Sequence, residues 1–375
     1  MLCYDSPRVR ILLDYRPALR NRTGVGEYVH RLAVSLAASA LSASDRLTLF
    51  SSSLTDRLPA SPVPGADHID LQVPVRMLNL LWHRLEWPPA EWFAGPVDVT
   101  HSMHPLLMPA RRAVRFVTIH DLYFLDRAGD TTAEIRRDYA TLAASHARRA
   151  DRVVVVSNYT RRQVEERLGV APERIVVCAP GAPDWPARDE PETIGPILFV
   201  GAVEPRKNVR GLLAAYAALL ARCPDAPRLV IAGRLPASGL GPLPRGVPAD
   251  RVRTLGYVRD EQRRRLYCDA AVLVLPSLDE GFGLPALEAM TVGVPVVASN
   301  RGALPEVVGD AGLLVEPDDA AGIAASIERV LSDVALRRRM SADGICRARD
   351  YNWDWSARAL YAAYATAVGE RGVAS

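Results

Sequence analysis

The sequence predicts an α/β chain in two domains, each a parallel sheet flanked by helices. Three observations lead there. At 375 residues the chain exceeds what one hydrophobic core usually supports. Its apolar runs, such as Ala271–Leu275 and Val294–Ala298, do not alternate with polar residues, which is the pattern of strands buried on both faces. Five prolines with little periodicity (Pro180, Pro183, Pro186, Pro191, Pro196) mark a linker near the middle of the chain, from Ala179 to Pro196.

Composition bounds the function classes. Hydrophobic content of 49% and charge of 24% describe a globular chain, and a net charge of +3 argues against a dedicated nucleic-acid binder. The five cysteines are scattered without a C-x-x-C pair, which argues against a disulfide framework or structural zinc and fits a reducing cytoplasm. The opening MLCYDSPRVR has no apolar signal region, and no apolar run reaches the roughly 18 residues of a membrane span. A cytoplasmic protein is therefore expected.

In chain order, Val9–Asp14 reads as a strand and Val25–Ala38 as an amphipathic helix, joined by the turn Arg20-Asn21-Arg22-Thr23-Gly24-Val25-Gly26. A glycine-bearing strand-to-helix turn lets backbone approach a ligand, though a plain turn reads equally well. Arg46–Ser51 and Ile69–Val73 are further strands. The aromatic segment Leu78–Phe93 holds Trp82, Trp87, Trp92 and Phe93; we read it as a packed helix and turn, with a membrane- or acceptor-facing surface as the alternative. Asp98–Ser102 and Val114–Ile119 are central strands, Thr131–Arg149 a long helix, Ala150–Ser157 a strand, and Asn158–Leu168 a helix capped by Ser157 or Asn158. Arg136, Arg137, Arg148, Arg149, Arg161 and Arg162 read as solvated helix faces, with peripheral contact at the inner face of an anionic membrane as the alternative.

The second half begins with the strand Ile197–Val200 and a helix running to Leu220. Arg228–Ala232, Val252–Leu255, Ala271–Leu275 and Val294–Ala298 continue the sheet. Asp318–Leu331 and Val334–Ala348 are helices, and a final helix follows Tyr351-Asn352-Trp353-Asp354-Trp355.

Two features carry chemistry. Lys207 is the sole lysine among 46 basic residues. With Arg206 it sits at a helix entrance, where a compact ammonium and a guanidinium beside helix amides suit a diphosphate. The second feature is Glu280-Gly281-Phe282-Gly283-Leu284-Pro285-Ala286-Leu287-Glu288, between two buried strands. Pro285 sits where proline favours a helix start, so the amides of Gly283 and Leu284 open a helix at the carboxyl ends of the strands.

That Glu-x7-Glu segment, with Glu-Pro-Arg-Lys-Asn at 204–208 and His-Asp-Leu at 120–122, resembles the retaining GT-B glycosyltransferases of family 4, in their mannosyltransferase-like branch. The resemblance covers nearly the whole chain. It implies two Rossmann-like domains facing across a cleft: an acceptor-binding domain at 1–185, a nucleotide-sugar-binding domain at 190–350, and a C-terminal helix at 351–375 returning to the first. It also implies residue roles. Glu280 grips the donor sugar and stabilises charge near its anomeric carbon, and Glu288 takes the ribose hydroxyls. Arg206 and Lys207 hold the departing diphosphate, and Gly24 and Val25 close over the donor phosphates. His120 reaches the donor sugar, and Asp121 is an acceptor-side candidate. Tyr257, Val258 and Asp260 lie under the base, although Asp260 reads equally as a helix N-cap. Gly281, Phe282, Gly283 and Leu284 complete the donor set.

One departure is Ala202, where some members carry an arginine, so Arg206 must serve for it. No metal or other cofactor is expected, because the two cations serve and no suitable D-x-D stands out. The expected reaction moves a hexose, first mannose from GDP-mannose, with UDP- and dTDP-sugars open. The acceptor is a glycan, a lipid-linked saccharide or a small molecule. A nucleotide-sugar epimerase of GT-B fold and a non-catalytic two-domain sugar-binding protein are the alternatives. A phosphorylase would need a lysine for pyridoxal phosphate, and Lys207 is the only one available.

Overall fold

The computed structural model describes residues 8–19, 22, 24–59, 61–127, 129, 131, 135–189 and 194–374. Arg20, Asn21 and Thr23 of the first turn, Thr132, Ala133 and Glu134 of the expected Thr131–Arg149 helix, Cys3 and Pro191 lie outside them. The chain divides into two compact units, Met1–Gly181 with Asn352–Ser375, and Ala182–Tyr351.

The first unit is built on seven parallel strands: β1 Arg10–Asp14, β2 Arg46–Ser52, β3 Asp67–Leu71, β4 Val99–Ser102, β5 Val114–Ile119, β6 Arg152–Val155 and β7 Ile175–Val177. Their spatial order is β3-β2-β1-β4-β5-β6-β7. Leu12 of β1 lies beside Thr48 on one side and Thr100 on the other. The chain thus winds outward from β1 and then reverses across it to β4. The apolar runs become central strands because both their faces are covered; Leu12, Leu13, Val117 and Val153 are fully buried. Strand β7 escaped the sequence reading because three residues carry no usable period.

Three local expectations change. The helix from Val25 ends at Ser35 and widens into a π-turn over Leu36–Ala40. Of the expected Thr131–Arg149 helix, the described residues form a π-turn at Ile135–Tyr139 followed by a regular helix over Ala140–Arg149. The aromatic segment splits. Trp82 is buried, stacked on Phe93 at 5.9 Å and against Phe50 at 5.0 Å, but Trp87 and Trp92 are 49% and 60% exposed. Packing claims only half of that segment.

The C-terminal helix Trp353–Ala374 belongs to this first unit. Tyr364 hydrogen-bonds the buried His101 of β4, the Tyr361 hydroxyl donates to Asp45 at 2.8 Å, and Arg371 donates to the Ala113 carbonyl at 2.6 Å. Trp353 packs on Tyr28 at 5.7 Å. Trp355 is 61% exposed, so of the two tryptophans that open this helix only Trp353 packs.

The second unit holds six parallel strands: β8 Ile197–Val200, β9 Leu229–Ala232, β10 Val252–Gly256, β11 Val272–Leu275, β12 Val296–Ser299 and β13 Leu313–Val315. Their order is β10-β9-β8-β11-β12-β13, so the winding again reverses, here between β8 and β11. The described part of the proline-rich segment is not a loose linker. The Arg188 amide donates to Val292 O at 3.1 Å and the Arg188 guanidinium to Cys268 O at 3.1 Å, while Trp185 packs on Tyr267 at 6.1 Å.

Candidate active site

In doubly wound sheets the loops at the carboxyl ends of the two strands flanking the reversal splay apart and leave a crevice for ligand. In the second unit those loops follow β8 and β11. The first carries a short 3-10 turn, Pro205–Lys207, and the second carries Ser277 and Glu280. Asn208 ends the turn at φ 52°, a left-handed conformation that asparagine tolerates, and its side chain accepts the Gly211 amide at 3.1 Å to cap the Val209–Arg222 helix. That cap fixes where Lys207 sits. The Leu278 amide donates to Arg206 O at 2.7 Å and ties the two loops together.

The side chains converge there. Lys207 Nζ donates to Glu280 Oε1, and Arg206 Nη1 lies 3.7 Å from Glu280 Oε2. Ser277 Oγ donates to the same Oε1 at 3.0 Å. Arg206 is also held by Glu204 at 3.2 Å, and Arg234, at the end of β9, lies 3.8 Å from the other Glu204 oxygen. Arg234 therefore adds a third cation close to the position that Ala202 leaves without one. Lys207 and Glu280 are 9% and 5% exposed. Burial by itself would raise the Glu280 pKa. The charges of Lys207 and Arg206, with the hydrogen bonds from Lys207 and Ser277, outweigh it and hold the carboxyl below its usual range. Burial lowers the Lys207 pKa, because Lys207 faces one carboxylate and a competing guanidinium where Glu280 faces two cations.

Backbone packing fixes Glu280 as well. Its carbonyl accepts the Ala303 amide at 2.8 Å. Gly302, at φ +65°, lies so close that a Cβ there would sit 2.5 Å from the Glu280 nitrogen. Gly283, at φ 109°, opens the helix Leu284–Thr291 with Pro285 in its first turn. Phe282 is buried edge-on to Tyr351 at 5.4 Å, which commits its ring to packing.

One turn beyond Gly283, Glu288 forms a second cluster. The Tyr267 hydroxyl donates to Glu288 Oε2 at 2.8 Å, and Arg263 Nη2 lies 3.0 Å from Oε1. The same Nη2 is 2.9 Å from Asp260. Asp260 is the first residue of the helix Asp260–Asp269, and Arg259 occupies the N-cap, so the carboxylate faces Arg263 instead of capping. Tyr257 is exposed and Val258 half-buried on the turn before it.

The other predicted residues lie in the first unit. His120 follows β5; its Nε2 is 3.2 Å from Met103 O, which makes Nε2 the protonated nitrogen and Nδ1 the acceptor. Its edge meets the Tyr28 ring at 5.1 Å. The residue retains some accessible surface, yet its ring lies deep among protein atoms, and that desolvation lowers its pKa to about 4, so it is neutral at pH 7. Asp121 accepts the Tyr123 amide at 3.2 Å. Gly24, at φ 49°, precedes the helix that begins at the exposed Val25. At this unit's own reversal, between β1 and β4, sequence reading missed a cluster. The fully buried Asp14 pairs with Arg16 at 2.6 Å and His104 at 3.1 Å, and Arg16 reaches Asn79 at 3.0 Å. Arg16 and Asp14, two positions apart at a strand end, were the available signal. Arg263 and Tyr267 were missed too; their four-residue spacing places them on one helix face.

Two doubly wound parallel sheets, with a C-terminal helix folded onto the first and a cation–carboxylate cluster at the reversal of the second, define the GT-B glycosyltransferase class. Residues 22–184 match the model of Glycosyltransferase Family 4, and residues 195–333 match Glycosyl transferases group 1. The chain belongs to glycosyltransferase family 4. It is 38% identical over 217 residues to O-antigen chain mannosyltransferase B of Escherichia coli, covering 54% of this chain and 57% of that one. It is 32% identical over 312 residues to a D-inositol 3-phosphate glycosyltransferase of Nocardioides, covering 73% and 63%. The chain thus spans less than two thirds of these relatives' lengths. Sucrose-phosphate synthase of Thermosynechococcus elongatus shares the fold, with a TM-score of 0.76 at 23% identity over 98% of this chain and 100% of that chain.

Proposed function

We propose that this chain is a retaining, metal-independent hexosyltransferase that moves mannose from GDP-mannose to a glycan, a lipid-linked saccharide or a small-molecule acceptor. The observation that carries the reading is the buried Lys207–Glu280–Arg206 cluster at the sheet reversal, where a diphosphate sugar meets two cations and a fixed carboxylate. As the anomeric C–O bond breaks, its electron pair leaves with the diphosphate, and Lys207, Arg206 and the amides of Gly283 and Leu284 stabilise that charge. Glu280 stays ionised beside the anomeric carbon and takes sugar hydroxyls. Glu288 holds the ribose, and Tyr257, Val258 and Asp260 the base. Gly24 and Val25 attend the phosphates, His120 the sugar, and Asp121 the acceptor. Mannose follows the name of the Escherichia coli relative, and GDP is the carrier that the mannosyltransferase-like resemblance implies.

We place peripheral membrane contact at Trp87 and Trp92 and not at the helical arginines. Arg137, Arg161 and Arg149 are engaged by Asp138, Glu165 and Glu86 at 2.6–2.7 Å. The two tryptophans lie edge-on at 5.6 Å with Arg111 over Trp92 at 5.7 Å, and exposed indole favours a membrane interface. No described helix is long and apolar enough to cross a membrane.

The test is turnover of labelled GDP-mannose, without added metal, against an acceptor panel, with the product's anomeric configuration read by NMR. Retained configuration is expected, and Lys207→Ala should slow transfer by at least about 100-fold, the scale for losing one charge-stabilising donor. Inverted product, or a wild-type rate in Lys207→Ala, would overturn the assignment. Epimerised sugar formed without acceptor would favour the epimerase.

A further inference from the structure

The helix Asp260–Asp269 turns one face toward the neighbouring helix Leu284–Thr291. Arg263 and Tyr267, one turn apart, both end on Glu288, each on a different carboxylate oxygen. Arg263, Tyr267 and Glu288 are all buried. Trp185 walls them in, with the Arg263 guanidinium carbon 5.8 Å from its ring centre. The nitrogen of Arg263 that meets Glu288 also meets Asp260, so one guanidinium serves both carboxylates.

We propose that Arg263 and Tyr267 are positioning residues for the nucleoside: they lock Glu288 in the rotamer that meets the ribose 2′- and 3′-hydroxyls, and Arg263 couples that grip to Asp260. The proposal rests on the assignment of Glu288 to ribose. A buried carboxylate without partners is costly and would turn elsewhere. Here two donors approach from one helix, and each carboxylate oxygen has two acceptor positions. The donors therefore orient Glu288 without ending its role as an acceptor. Glu288 and the base-side Asp260 then move together, so loss of the ribose hydroxyls is felt at the base turn as well.

The test uses the full chain and whichever of GDP and UDP binds more tightly by titration calorimetry, together with its 2′,3′-dideoxy counterpart. Wild type should prefer the hydroxylated nucleotide by about tenfold or more. Tyr267→Phe keeps the ring and removes only the hydroxyl, and it should cut that preference at least about threefold with little loss of dideoxy affinity. Arg263→Lys keeps a charge without the planar fork and should do the same; it carries the comparison if the phenylalanine variant fails to fold. An unchanged preference in both variants overturns the proposal, as does an equal fall for both nucleotides, which marks a purely structural role. Absence of nucleotide binding in wild type sinks the donor-site reading beneath it.

Discussion

Acid should unfold the first unit before the second, and four desolvated histidines set the scale. All seven histidines precede Gly181, so the unit Ala182–Tyr351 has none. His83, His101 and His146 are buried. Desolvation pulls their pKa values down to about 2, about 3 and about 4, with the neighbouring His104 and Arg16 adding to it at His83 and Arg149 at His146. Among the described residues, neither ring nitrogen of His83 has a hydrogen-bond partner. An unfolded imidazole titrates near 6.5, so below that pH the unfolded chain binds protons that the folded chain refuses, and stability falls with pH. Above about pH 6.5 nothing is lost; at pH 5 each of these three histidines, and His120 with its pKa of about 4, costs about 2 kcal/mol, or about 8 kcal/mol together, against a typical total of 5–15. Asp14, held far below its usual range by Arg16 and His104 against its burial, adds its own loss only in stronger acid. The assay is urea unfolding followed by tryptophan fluorescence at steps from pH 8 to 5. Five of the six tryptophans (Trp82, Trp87, Trp92, Trp353 and Trp355) report on the first unit. Unfolding in that window should take up about four protons, and His83→Leu should reduce this to about three. Equal stability at pH 8 and 5, or native imidazole resonances titrating near 6.5, would refute the reasoning.

Two more outcomes follow from the geometry. Gly302→Ala places a Cβ 2.5 Å from the Glu280 nitrogen at a φ of +65°. It should cost at least about 2 kcal/mol in stability and shift Glu280; an unchanged melting temperature and turnover would show that the loop yields freely. The double variant Trp87→Ala, Trp92→Ala should lose co-flotation with phosphatidylglycerol-rich vesicles while keeping nucleotide binding. Equal flotation of both proteins, or none by wild type, would remove the membrane surface from the account.

The parallel strands were legible because burial on both faces writes an unbroken apolar run: β5 and β8 match their expected ranges. Strands β7 and β13, at the edges of their sheets, have three residues each and left no such mark. The candidate site divides in the same way. Lys207 and Glu280 stood out because each follows an apolar strand and belongs to a local pattern of residues. Ser277, Arg234, Arg263 and Tyr267 did not, since their meaning lies in the partner each one meets.

By itself, the sequence determined the two-part α/β architecture and singled out the two loops that hold Lys207 and Glu280. Each of these follows from periodicity or from residues close together in the chain. Only the tertiary structure decided that Glu280, 73 positions from Lys207, is pinned by it, that Glu288 is held by a neighbouring helix, and that Asp14 and His104 form a buried pair. It also decided which tryptophans are buried and which histidines stay neutral. Those outcomes depend on desolvation and on contacts between elements distant in sequence, and composition and spacing encode neither.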